Sequence, residues 1–113
     1  MKAKELAPNQ KNVELIVKVV EKTEPRQVTS KIDGKFHRVC DALVGDETAC
    51  INLSLWDEKI DELKENNYYK ITGAYTSLYR NSLTLNIGRL GKAEQTTGDF
   101  EAETTNNRSL EEF

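Results

Sequence analysis

Residues 49–66 read ACINLSLWDEKIDELKEN, and the change of period after Trp56 decides the fold. Up to that point apolar and polar residues alternate, so Ile51, Leu53 and Leu55 share one face of a strand and Asn52, Ser54 and Trp56 the other. Beyond it, Ile60 and Leu63 lie three apart in an acidic run, the spacing of one or two helical turns. Asp57 stands where an N-cap would reach the first free amides of that helix.

Working outward, Gly45-Asp46-Glu47-Thr48 makes a tight turn before this strand, and Phe36 to Val44 reads as the strand preceding it. Asp33-Gly34 is a hairpin signal, and Arg26 to Ile32 is a polar stretch. Val13, Leu15, Val17 and Val19 alternate along a run that is long for one strand, as expected of a first strand that curls round and pairs twice. Thr23-Glu24-Pro25 ends it, because Pro25 has no amide to donate. Downstream, Asn66-Asn67 restarts the chain, Tyr68 to Tyr75 is a fourth strand, and Arg80-Asn81 turns into a last one in which Leu83, Leu85 and Ile87 alternate with polar residues. The pattern predicts an all-β fold, a five-stranded Greek-key OB barrel with one short helix between the third and fourth strands. An SH3-like barrel shares the strand pattern; the helix after the third strand favours OB, whose curved face commonly takes oligonucleotides or oligosaccharides.

The chain has 113 residues, enough for one domain, with 16 Lys and Arg against 19 Asp and Glu. The net charge of −3 argues against nucleic acid until it is divided. Residues 94–113 carry six acids and one base, leaving residues 1–93 with 15 bases and 13 acids, a net of +2. A domain over 1–93 and a disordered acidic tail over 94–113 are therefore expected, since Gln95 to Phe113 has too little apolar surface to offset chain entropy.

No apolar run is long enough to span a bilayer, and no apolar stretch follows the N-terminal lysines, so neither membrane nor secretory signal is expected. That favours a cytoplasmic protein whose Cys40 and Cys50 are reduced thiols. Those two cysteines and the single histidine, His37, cannot make a four-ligand zinc site, and no phosphate loop or catalytic set is present. Neither an enzyme, a metal nor a cofactor is expected.

Trp56 lies on the polar face of its strand, either as a rim residue packed on the helix or as a platform for a stacked base. Tyr68 and Tyr69 open the fourth strand in structural roles. Strict alternation puts Tyr75 on the side of Ile71, whereas a bulge at Gly73 would turn it outward; parity alone leaves it open. Tyr79 stands beside Arg80, a pairing suited to phosphate contact or cation–π stacking. The other candidate bases are Arg26, Lys31, Lys35 and Arg38.

The run Leu43-Val44-Gly45-Asp46-Glu47-Thr48 with Ile51 to Trp56, and Ala74 to Tyr79 with Leu83 to Gly88, resembles the archaeal single-stranded DNA-binding OB proteins. It is also similar to the OB proteins of the human sensor-of-ssDNA complex and, more distantly, to replication protein A. The resemblance covers about residues 9–93. It implies that Trp56, Tyr75 and Tyr79 stack DNA bases, so that Tyr75 faces the ligand, and that Arg26, Lys31, Lys35 and Arg80 contact phosphates. This chain has Tyr75 and Tyr79 where relatives often have Trp or Phe, Asn86 where the human proteins have a further aromatic, and Ala49 in place of a usual glycine. Archaeal relatives often carry a Gly/Arg-rich stretch near the end; here Arg108 is the one base of the tail. The close Leu110-Glu111-Glu112-Phe113 is a solubilising end or, through Glu111, Glu112 and Phe113, a hook for replication or repair proteins, as in bacterial single-stranded DNA-binding proteins. The expectation is a non-enzymatic binder of single-stranded DNA, or by the same aromatics of RNA, serving replication, recombination and repair. The competing reading is an OB subunit that joins a larger complex by protein contacts.

Overall fold

Alternation along the first strand decides what the barrel encloses. Val13, Leu15, Val17 and Val19 point inward and are almost wholly buried, while Glu14 and Ile16 face out. The computed structural model describes residues 1–29, 31–79 and 81–110. In chain order the strands are β1 (Val13–Lys22), β2 (Arg26–Thr29), β3 (Phe36–Gly45), β4 (Cys50–Trp56), β5 (Tyr68–Tyr79) and β6 (Ser82–Thr96), with helix α1 (Glu58–Glu62) between β4 and β5.

The strands lie in the order β1-β5-β6-β4-β3-β2, and β1 closes the barrel by pairing with β3 as well. Its first half runs antiparallel to β5 and its second half to β3, with the register slipping between Val19 and Glu21. The long first strand thus serves two neighbours, and the closed five-stranded barrel is an OB fold. Among the strand pairings of the described residues, β4–β6 is the parallel one. Leu53 and Leu55 of β4 meet Ala42 and Cys40 of β3 inside the barrel, and Leu85 of β6 pairs with Leu53.

The ends are plugged differently. At one, α1 turns Ile60 and Leu63 inward, and Lys22 Nζ donates to their carbonyl oxygens at 2.5 and 2.8 Å. At the other, a 3-10 turn at Ala3–Glu5 buries Ala3 and Leu6. The Gly45–Ala49 turn is stitched by Asp46, whose carboxylate accepts from the amides of Thr48 (2.8 Å) and Ala3 (2.8 Å). Gly45 is required there: a Cβ would stand 2.7 Å from Ala49 O.

Three features differ from the sequence reading. The polar stretch after Pro25 contains β2, an extra strand paired only with β3 and exposed along most of its length, so it lacks the alternation that marks a strand. The last strand runs beyond the Leu83–Ile87 alternation to Thr96, its end pairing through the main chain with Tyr68–Thr72. The acidic tail, expected to lack structure, is laid against the barrel through Leu110. Its ties are mostly polar, with one ring contact, Phe100 edge-on against Tyr68 at 4.9 Å between centroids: Cys50 N donates to Asn106 O at 3.0 Å and Glu103 N to Asp46 O at 2.8 Å. The hydroxyl of buried Ser109 accepts from Asn52 N at 2.9 Å and donates to Leu83 O.

Candidate nucleic-acid interface

The outer face of β4 is the starting point, because Leu53 and Leu55 facing inward oblige Asn52, Ser54 and Trp56 to face out. Register extends this face across four strands. Asp41, Ser54, Asn86 and Tyr75 form one row across β3, β4, β6 and β5; Leu43, Asn52, Thr84 and Ser77 form the next. Arg26, Val39 and Trp56 form a third row across β2, β3 and β4. With strands roughly 4.8 Å apart and two residues spanning roughly 6.7 Å, the Trp56 and Tyr75 backbones are about 12 Å apart.

Tyr75 reaches this face because of one glycine. Gly73 sits at φ +65° where the β5–β6 register breaks between Thr72 and Ala74. Across that break the burial alternation shifts, so that Ile71 and Ala74 both point inward and Tyr75 outward, 43% exposed. The open question of parity is answered by the bulge. The ring of Tyr75 lies over Gly88, where a Cβ would meet Cε1 at 3.3 Å. Tyr79 follows four residues on at the end of β5, 61% exposed, and Trp56 is 45% exposed. The three rings thus line an outer surface from β4 to the tip of the β5–β6 hairpin. Tyr68 and Tyr69 do not join them: Tyr69 is buried, and the Tyr68 hydroxyl donates to Phe100 O at 2.6 Å.

Trp56 has a neighbour that periodicity did not reveal. The His37 ring meets it edge-on, centroids 6.3 Å apart at 71°. His37 Nδ1 lies 2.7 Å from Asp57 Oδ2 and Nε2 3.2 Å from Asp33 Oδ2. Hydrogen bonding to Asp57 first, then to Asp33, raises the imidazole above its ordinary value. The same contact with His37, helped by the Arg38 amide, lowers the Asp57 carboxyl. Asp57 does occupy the position before α1, but its side chain caps no helix amide; Arg38 N and His37 take its oxygens instead. No sequence signal marks the contact with Asp57, since it lies 20 residues from His37.

The candidate cations divide. Arg26 lies in the Trp56 row and pairs with Asp41 at 3.8 Å. Lys31 and Lys35 are exposed between β2 and β3. Arg38 has the parity of buried Cys40, on the other side of β3 from Val39, and its guanidinium donates to Asp61 at 3.0 Å. Arg80 and the terminal Glu111, Glu112 and Phe113 lie outside the described residues. Asn86 stands between Ser54 and Tyr75 and donates to Ser77 Oγ at 3.0 Å. Cys40 and Cys50 are buried, and burial pushes both thiols up, which suppresses thiolate chemistry. Among the described residues no helix is long and apolar enough to cross a membrane.

The OB barrel of this chain has counterparts among known proteins. The single-stranded DNA binding protein Ssb of Saccharolobus solfataricus is 33% identical over 94 residues, covering 83% of this chain and 62% of that protein. The chain therefore spans less than two thirds of that relative. The solution structure of hypothetical protein F20O9.120 from Arabidopsis thaliana superposes with a TM-score of 0.83 at 25% identity, covering 100% of this chain and 84% of that one. The replication factor A related protein from Methanobacterium thermoautotrophicum shares the fold, with a TM-score of 0.70 at 13% identity over 85% of this chain and 89% of that one. The family described as single-stranded DNA binding protein Ssb-like, OB fold, matches residues 6–95. The chain belongs to this Ssb-like OB family.

Proposed function

We propose that this protein binds single-stranded DNA without chemical change, stacking bases on Trp56, Tyr75 and Tyr79. Arg26, Lys31, Lys35 and Arg80 follow the phosphates, and Arg38, committed to Asp61, acts at most at the edge. The observation that carries this reading is the set of three half-exposed rings on one outer face of the barrel. Membership of the Ssb-like family supports it. Each stacked base contributes roughly 1–3 kcal/mol whatever its identity, and one OB fold covers roughly 4–16 nucleotides. Such a binder would protect exposed strands during replication, recombination and repair in the cytoplasm. Its terminal Glu111, Glu112 and Phe113 would be offered to partner proteins.

Trp56 is the only tryptophan, so its fluorescence reports the site directly. Titration with oligo-dT at micromolar protein and low salt should quench it saturably. An unchanged spectrum would remove the proposal and favour a protein-interaction module.

A further inference from the structure

Beside Tyr75 the outer face drops into a cleft of about 560 Å³ lined by Asn9, Gln10, Asn12, Gly73, Tyr75 and Gly88. Its volume is in the range of small-ligand sites. One wall carries the Tyr75 ring. The cleft also takes in the break in the β5–β6 ladder at Gly73. The opposite wall is the N-terminal segment, which is fixed rather than trailing. Thr76 N donates to Gln10 O at 3.0 Å, Gln10 N to Thr76 Oγ1 at 2.9 Å and Thr76 Oγ1 to Ala7 O at 2.6 Å.

Two residues of that wall are unusual. Asn9 and Asn12 hold left-handed backbone angles, φ 63° and 54°. Gln10 spends its side chain on the protein, accepting from Ala7 N and donating to Glu5 O. The amides of Asn9 and Asn12, by contrast, make no hydrogen bond to the described residues. A carboxamide offers a donor and an acceptor side by side, the pattern that pairs with a base edge. Lys11, between them, adds a cation at the same rim.

We propose that this cleft is a nucleobase pocket. The base on Tyr75 presents its hydrogen-bonding edge to Asn9 and Asn12, which gives an otherwise sequence-tolerant surface a preference at one position. The inference rests on the single-stranded DNA reading and adds base selection to it. Stacking does not discriminate among bases, whereas a matched amide pair does.

The clean test is Asn9→Gly with Asn12→Gly in the full chain, because glycine keeps the left-handed backbone and removes only the amides. Binding of labelled dT, dC and dA 12-mers is measured by anisotropy for both proteins, with melting temperatures as the folding control. The wild type is expected to separate its best and worst homopolymer by about three- to tenfold. The variant is expected to bring them within about twofold while retaining binding. A spread that survives in the variant places the preference in strand flexibility and overturns the pocket alone. Equal affinities in the wild type also overturn it. No binding of any oligonucleotide by the wild type overturns the DNA reading itself, and the pocket with it.

Discussion

His37 is held between Asp57 and Asp33 against the edge of Trp56, so its proton is part of how the outer face is set. Its folded value is raised, chiefly by Asp57. The stability it contributes is full below the ordinary 6.5 and is lost as pH rises through the raised value. Asp57 has the opposite sign: its lowered carboxyl contributes above the ordinary 3.8 and loses that contribution as pH falls through the lowered value. Thermal melts from about pH 6 to about 8.5 should show a decline that His37→Asn abolishes; parallel profiles would exclude the brace. Gly73 is the second decisive residue, since its φ of +65° suits glycine. Gly73→Ala should cost about 1–2 kcal/mol in denaturant unfolding. It should also weaken DNA binding by displacing Tyr75, and an unchanged titration would detach the bulge from the site.

At the scale of elements, what was legible and what was not follow one physical division. The alternation Ile51-Asn52-Leu53-Ser54-Leu55-Trp56 marks β4 because one face is buried and the other wet. The inward Val13, Leu15, Val17 and Val19 of β1 are legible for the same reason. Gly73 was readable as a place where a bulge would occur, although nothing in the sequence said that one does. Elements held chiefly by main-chain pairing left no trace: β2 and the end of β6 bury little beyond Ala93, so no apolar period appears. The segment ending at Leu110 is fixed by hydrogen bonds from Ser109 and to Asn106 O, which composition cannot distinguish from solvated polar chain. Ser109→Ala would strip partners from Asn52 N and Leu83 O. It should cost about 1–3 kcal/mol and raise amide exchange at Asn52. Exchange as slow as in the wild type would mean the segment does not bind there.

For the whole molecule, the net charge of −3 describes no surface of the protein. Acids gather toward the C-terminal segment, and the described cations near the aromatic face are few: Arg26, Lys31 and Lys35, with Lys11 at the cleft beside Tyr75. On the proposed function, stacking therefore carries much of the affinity. With about three phosphate contacts, log K should fall against log salt with a slope near about −2. A slope steeper than about −4 would reveal a larger electrostatic footprint.

The central claim is that Trp56, Tyr75 and Tyr79 together make the binding surface. It is tested most directly by comparing wild type with Trp56→Ala/Tyr75→Ala/Tyr79→Ala for affinity toward a dT 12-mer, alongside the melting temperature of each. All three rings are about half exposed or more and none belongs to the barrel's core, so the fold should survive. At about 1 kcal/mol or more per stacked base, the variant should bind about a hundredfold more weakly or worse. A folded variant that binds as tightly as the wild type would contradict the claim.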